Sequence, residues 1–172
     1  NKIQAASGDY SKLAASGDYS KLAVSGDYSQ LAASGDYSKL AVSGDYSKLA
    51  VSGNSSKLAA SGYYSQLAVS GYSSKLAASG DSSQLAASGD SSQLAASGDY
   101  SKLKITGEKS VGANIGINGK IKGKKGNWIT LAEYNEKYEP ICVLSARIDG
   151  EKIKENTWYC LKDGKFTESE KA

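Results

Sequence analysis

The chain has 172 residues, of which 40% are hydrophobic and 23% charged, and a net charge of +3. This near-balance gives no general drive toward nucleic acid or an acidic membrane surface, and no apolar run reaches the roughly 20 residues of a membrane helix. The absence of histidine removes Ser–His and Cys–His nucleophile pairs, imidazole acid–base work and histidine-ligated metals.

Methionine is absent even at position 1, so the chain reads as a processed, trimmed or internal piece with no leader-like segment at its start. Asn1–Gln4 departs from the pattern of the next hundred residues, with Gln4 where a leucine is due, and is expected to begin a cap. From Ala5 to Leu103 run eleven uninterrupted copies of one nine-residue word, Ala-(Ala/Val)-Ser-Gly-Asp-Tyr-Ser-(Lys/Gln)-Leu. A period this short lets each unit touch only its neighbours, which predicts a stack. An invariant leucine kept in phase argues against a flexible Gly/Ser linker.

Within one unit, Ser11 to Ser16 alternates with the two-residue rhythm of a strand. Ser11, Leu13 and Ala15 share the inner face, and Lys12, Ala14 and Ser16 the outer. The exchanges agree: Lys with Gln outside, Ala with Val inside. Gly17-Asp18-Tyr19 is expected to turn the chain, Gly through backbone freedom and Asp through local hydrogen bonding.

Nine residues cannot close a coil alone. With two units per turn, one edge reads Tyr10, Tyr28, Tyr46, Tyr64, Ser82, Tyr100, and the other Tyr19, Tyr37, Ser55, Ser73, Ser91. Val24 falls over Val42 and Val51 over Val69. Three units per turn scramble these columns. The expected fold is therefore all-β: a parallel β-solenoid of 18 residues per turn, about 26 Å long over the repeats at about 4.8 Å per turn. Its ends require caps.

Residues 104–126 read as degenerate final coils, with Gly107, Gly116 and Ser110 in phase and a slip of spacing expected after Lys109. The first domain is thus 1–126. From Asn127 the rhythm changes, and 127–172 reads as a small antiparallel β-sheet domain. Trp128–Tyr134 and Ile141–Ile148 are strand-like, and Asp149-Gly150 and Asp163-Gly164 are hairpin signals. Trp128, Trp158, Tyr159 and Phe166 are the candidates for its core.

Little here points to catalysis. Cys142 and Cys160 sit on neighbouring predicted strands, either paired or as buried thiols, and two sulfurs make no zinc site. Calcium-binding nonapeptides place Asp two residues before the apolar position. Here it stands four before Leu, and its column is broken by Asn54, Tyr63 and Tyr72. No catalytic, metal or cofactor residues are assigned. Glu133, Glu136 and Glu139 surround Tyr134 and Tyr138 without indicating a pocket. The candidate partner-binding residues are Tyr10, Tyr28, Tyr46 and Tyr64 on one edge, and Lys120, Lys122, Lys124 and Lys125 next to Trp128. Exposed tyrosines suit protein or glycan contact, although stacking that only supports the rod is the simpler account. The lysines also suit phosphate, although a solvated strand face is the simpler account.

The word Ala-Ser-Gly-Asp-Tyr-Ser-Lys-Leu-Ala, followed by Gly126–Tyr134 and Asn156–Tyr159, resembles uncharacterised bacteriophage and prophage proteins of gut Firmicutes and related anaerobes, across nearly the whole chain. A weaker likeness links the word to the heads of trimeric autotransporter adhesins, whose units are longer. The first resemblance implies a mobile-element origin and no active residues. Together these features lead to the expectation of a non-enzymatic binding protein without cofactors. A rigid rod would present a small β domain to a macromolecular, host-protein partner, as an inhibitor of host antiviral defence acting in the bacterial cytoplasm. The alternative is a virion or cell-surface module that recognises glycans or self-assembles as a homo-oligomer. A third reading, a flat Ala/Ser face ordering water, is weakened by the adjoining Lys/Gln column. No membrane insertion is expected, and nucleic acid is a poor fit.

Overall fold

The leucine–alanine alternation of each repeat produces one four-residue strand, because period-two patterning buries every second side chain. In the computed structural model, which describes residues 2–169, the first two strands are β1 (Ile3–Ala6) and β2 (Lys12–Ala15). Ten more, β3–β12, recur every nine residues between residues 21 and 105, followed by β13 (Val111–Asn114) and β14 (Lys120–Gly123). Odd-numbered strands stack in one parallel sheet and even-numbered strands in another. Partners lie 18 residues apart, as in Lys21 opposite Lys39 and Gln30 opposite Lys48. The described residues contain no helix, and the coil completes about seven turns of 18 residues.

The two sheets face each other across a thin core. Leu22, Leu40, Leu58 and Leu76 project from one sheet and Leu31, Leu49, Leu67 and Leu85 from the other, all almost fully buried. The Ala/Val position and the repeat serine complete this interior, and the serine from Ser20 to Ser101 has no exposed surface. Each leucine contributes about 2 kcal/mol on burial, so the core depends on repetition.

The corners differ from expectation in an informative way. The repeat glycines are absent from the positive-φ positions, whereas Tyr10, Tyr19, Tyr28 and their successors at every ninth residue have φ of 53–56°, through Asn118. Glycine is required by stacking: a Cβ on Gly44 would stand 2.1 Å from the Gly26 carbonyl oxygen, one turn back. The left-handed turn is made by tyrosine or serine, residues that adopt it only at a cost of about 1–2 kcal/mol. The corner repays this locally. The Tyr28 N–H donates to the Asp45 carbonyl at 2.8 Å, and Ser29 Oγ donates to the Gly26 carbonyl at 2.7 Å.

The 18-residue register continues through residue 123 instead of slipping after Lys109. In these last turns the core exchanges large and small residues between columns. Gly112 takes a leucine position and Ile105 fills the space, since a Cβ on Gly112 would lie 2.6 Å from Ile105 Cδ1. Gly119 replaces a core serine, and the Asn114 side chain supplies the lost polar group, donating to the Ser101 carbonyl at 2.7 Å.

One residue is lost in the corner at 124–127. Strand β15 (Trp128–Tyr134) therefore pairs in parallel with β13 at an offset of 17, Val111 opposite Trp128. Asn127 reaches into the serine column, its Oδ1 accepting from the Ser110 N–H at 2.9 Å and its Nδ2 donating to Gly107 O at 2.8 Å.

The direction then reverses. Strand β16 (Pro140–Arg147) runs antiparallel to β15, while β17 (Tyr159–Lys162) and β18 (Lys165–Glu168) form a hairpin added antiparallel to β14. The Asp163-Gly164 hairpin forms, with both residues at positive φ. The one expected at Asp149-Gly150 does not. Asp149 Oδ1 accepts the N–H groups of Glu151 and Ile153 at 2.9 and 3.0 Å, which winds the chain into a loop and buries Ile153. Ile148, Ile153, Tyr159 and Leu161 pack over the last coil, with Phe166 edge-on to Tyr159 at 6.5 Å. Trp128 stays outside this core, half exposed.

At the other end, Ile3–Ala6 is a regular strand with Gln4 opposite Leu22, while Asn1 lies outside the described residues. Cys142 and Cys160 are free and occupy different sheets rather than neighbouring strands.

Candidate binding site

The left-handed corner residue sends its side chain outward, and stacking at one-turn intervals makes a column. Tyr10, Tyr28, Tyr46 and Tyr64 form a continuous pile of phenol rings with centroids 5.1, 5.0 and 5.0 Å apart and planes within 8°. All four are exposed, from 46% to 70%. The opposite edge has only one such pair, Tyr19 and Tyr37, at 5.0 Å. The unequal edges read from the sequence are thus physical: one aromatic face four rings long, and one short face followed by serines.

The aspartates beside these columns are occupied by the fold. Asp27 Oδ1 accepts the Asp45 N–H at 2.8 Å, and Asp36 Oδ1 accepts the Asn54 N–H at 2.7 Å, each one turn along. Asn54 continues the ladder through its amide oxygen, accepting the Tyr72 N–H at 2.9 Å. This explains why Asn substitutes for Asp in the repeat. Tyr63 and Tyr72 interrupt the ladder and add two exposed rings. Hydrogen bonds to Ser91 and Ser73 hold the Tyr72 phenol below its ordinary pKa.

The basic cluster is divided between surfaces. Lys120 and Lys122 point outward from β14, and Lys122 Nζ sits 4.9 Å from the Trp158 ring centroid. Lys124 pairs with Glu108 at 2.7 Å, and that contact raises its pKa. The Lys125 backbone N–H donates to Glu155 Oε2 at 3.3 Å, and its side chain lies by Gly150. Trp128 belongs to the other sheet, opposite Arg147. The lysines and Trp128 do not converge; the aromatic partner of Lys122 is Trp158.

Lys120 does meet the tyrosine column. Beyond Tyr64 the column loses one ring at Ser82 and resumes at Tyr100. The resulting cleft, of about 540 Å³, is lined by Tyr64, Ser82, Tyr100, Gln84, Lys102 and Lys120. The signal for this site was present in the Tyr/Ser column, but its lysines emerge only once the strands are stacked. The glutamates before Pro140 have structural duties. Glu133 accepts the N–H groups of Asp163 and Gly164 at 2.7 and 2.8 Å, clamping the last hairpin, and Glu139 accepts from Asn135 Nδ2 at 2.7 Å.

Comparison of the chain with known protein families, characterised proteins and solved structures returns no match.

Proposed function

We propose that this chain is a non-enzymatic binding protein of mobile-element type, a rigid β-solenoid that engages a host protein and thereby inhibits host antiviral defence. The observation that carries the binding role is the exposed pile of Tyr10, Tyr28, Tyr46 and Tyr64, while the host target follows from the resemblance of the repeat and tail to phage proteins. Tyrosine offers large, amphipathic contact area at low entropic cost, and a rigid column does not have to be ordered on binding. The exposed ring edges and hydroxyls of the same column support glycan recognition as a second reading, since the column is long enough to follow successive units of an extended chain.

The test is a stable complex with a host protein on size-exclusion chromatography, lost when Tyr10, Tyr28 and Tyr46 are all changed to Ser. Serine occupies this corner natively at Ser55, Ser73 and Ser82 with the same φ, so the variant keeps the rod. An undiminished complex would overturn the reading. Binding to a glycan array without any protein complex would move it to the second.

A further inference from the structure

The interruption at Ser82 leaves the backbone of the column unchanged. Tyr64, Ser82 and Tyr100 have φ of 53°, 56° and 55°, so the Cα–Cβ bond of Ser82 points where a ring would stand. The corners that carry Tyr64 and Tyr100 are two column steps apart, about 10 Å at the 5.0 Å spacing of the intact column, a gap with room for one more ring in stacking range of both. Lys102 and Lys120 border this opening with part-buried side chains, and neither forms an ion pair among the described residues. The nearby carboxylates of Asp81 and Asp99 each spend an oxygen on a backbone N–H, at 2.8 Å to Asp99 N and 2.8 Å to Ile117 N.

We infer that this opening is a receptor slot for a single aromatic side chain, a tyrosine of the protein partner flanked by carboxylates. Its ring completes the column between Tyr64 and Tyr100, and its acidic neighbours meet Lys102 and Lys120. Gln84 is the polar group placed beside the incoming ring. The inference rests on the binding role proposed above and names the chemistry of the partner. A phenol is favoured over a nucleobase because the position vacated is that of a phenol in an otherwise regular column of them.

The probe is a blocked tripeptide with tyrosine between aspartate and glutamate, titrated into the full chain and followed by NMR. The expected result is saturable binding with ring-current shifts of the peptide tyrosine. Ser82→Tyr, which fills the slot from within, weakens binding about tenfold through loss of two stacking faces. Changing Lys102 and Lys120 to Gln removes its salt dependence. No binding by the wild type, equal binding of the peptide with leucine in place of tyrosine, or unchanged binding by Ser82→Tyr would overturn the slot. Adenosine monophosphate binding in place of the peptide would overturn the assignment to a protein side chain. Peptide binding without any host-protein complex would leave the slot standing and remove the wider reading. A host complex indifferent to Ser82→Tyr would do the reverse.

Discussion

Asp9 and Asp27 stand one above the other on the same edge, and the carboxylate of the first accepts the backbone N–H of the second at 2.9 Å. Wherever Asp or Asn holds this position, one turn thus lends a side-chain acceptor to the next, and the acidic column that suggests a ligand ladder is a backbone tie.

Only the oxygen matters for this tie, so Asp27→Asn should leave stability unchanged, as Asn54 already does natively. Asp27→Ala should cost about 1 kcal/mol by leaving the Asp45 N–H without its acceptor. Urea unfolding of the two variants checks the difference, and an equal loss for both would count against the ladder.

Glycine substitutions should be severe inside the rod and mild at its start. Gly44→Ala would drive a methyl into backbone that has no room to move, costing roughly 3 kcal/mol. The corresponding position at Gly8 has nothing nearer than Ser11 Oγ at 4.0 Å, so Gly8→Ala should melt like the parent chain. Thermal unfolding of the pair separates a stacking requirement from a conformational one.

The left-handed corner offers a stabilising change. Ser55 has φ of 53°, and Asn118 occupies the equivalent corner at 54°. Ser55→Asn should raise stability by about 0.5–1 kcal/mol, because Asn tolerates this conformation better than other residues with a Cβ. No rise in melting temperature would show that the corner carries no strain to relieve.

Acid should loosen the loop that the Asp149 carboxylate caps. Backbone N–H groups of Ile153 and Glu151 hold the Asp149 carboxyl below its ordinary pKa. A depressed folded-state value means that its stabilisation is present above the unfolded pKa and is lost as pH falls through the folded one. The amide resonances of Glu151 and Ile153 should therefore move together below the usual carboxylate range. In Asp149→Asn, which keeps an acceptor but cannot titrate, that movement should vanish.

The strand positions, the inward leucine face and the pairing of alternate units were legible in the sequence, because period-two burial and column-wise substitution are recorded in the residues themselves. The repeat glycine, expected at Gly17 to turn the chain by its backbone freedom, is required instead by a carbonyl a full turn away, as Gly26 O is for Gly44, and a local reading assigns glycine to the turn by default. The tyrosine φ escaped for the same reason. At Asp149-Gly150 the dipeptide favours a hairpin, but Ile153 is drawn to the apolar end of the coil, and the carboxylate caps the resulting loop. The tyrosine column could be read off directly. The lysines beside its gap could not, since Lys120 is 56 positions from Tyr64 and only the coiling makes them neighbours.

The uniform 18-residue step also limits how such a chain can change length. Loss or gain of two repeats by slippage between near-identical words removes or adds one whole turn, shifting the rod's reach by about 4.8 Å and leaving both edges in alignment. Loss of a single repeat exchanges the edges beyond the break, setting serines under tyrosines. The molecule behaves as a ruler graduated in pairs, in which reach is adjustable and sidedness is not.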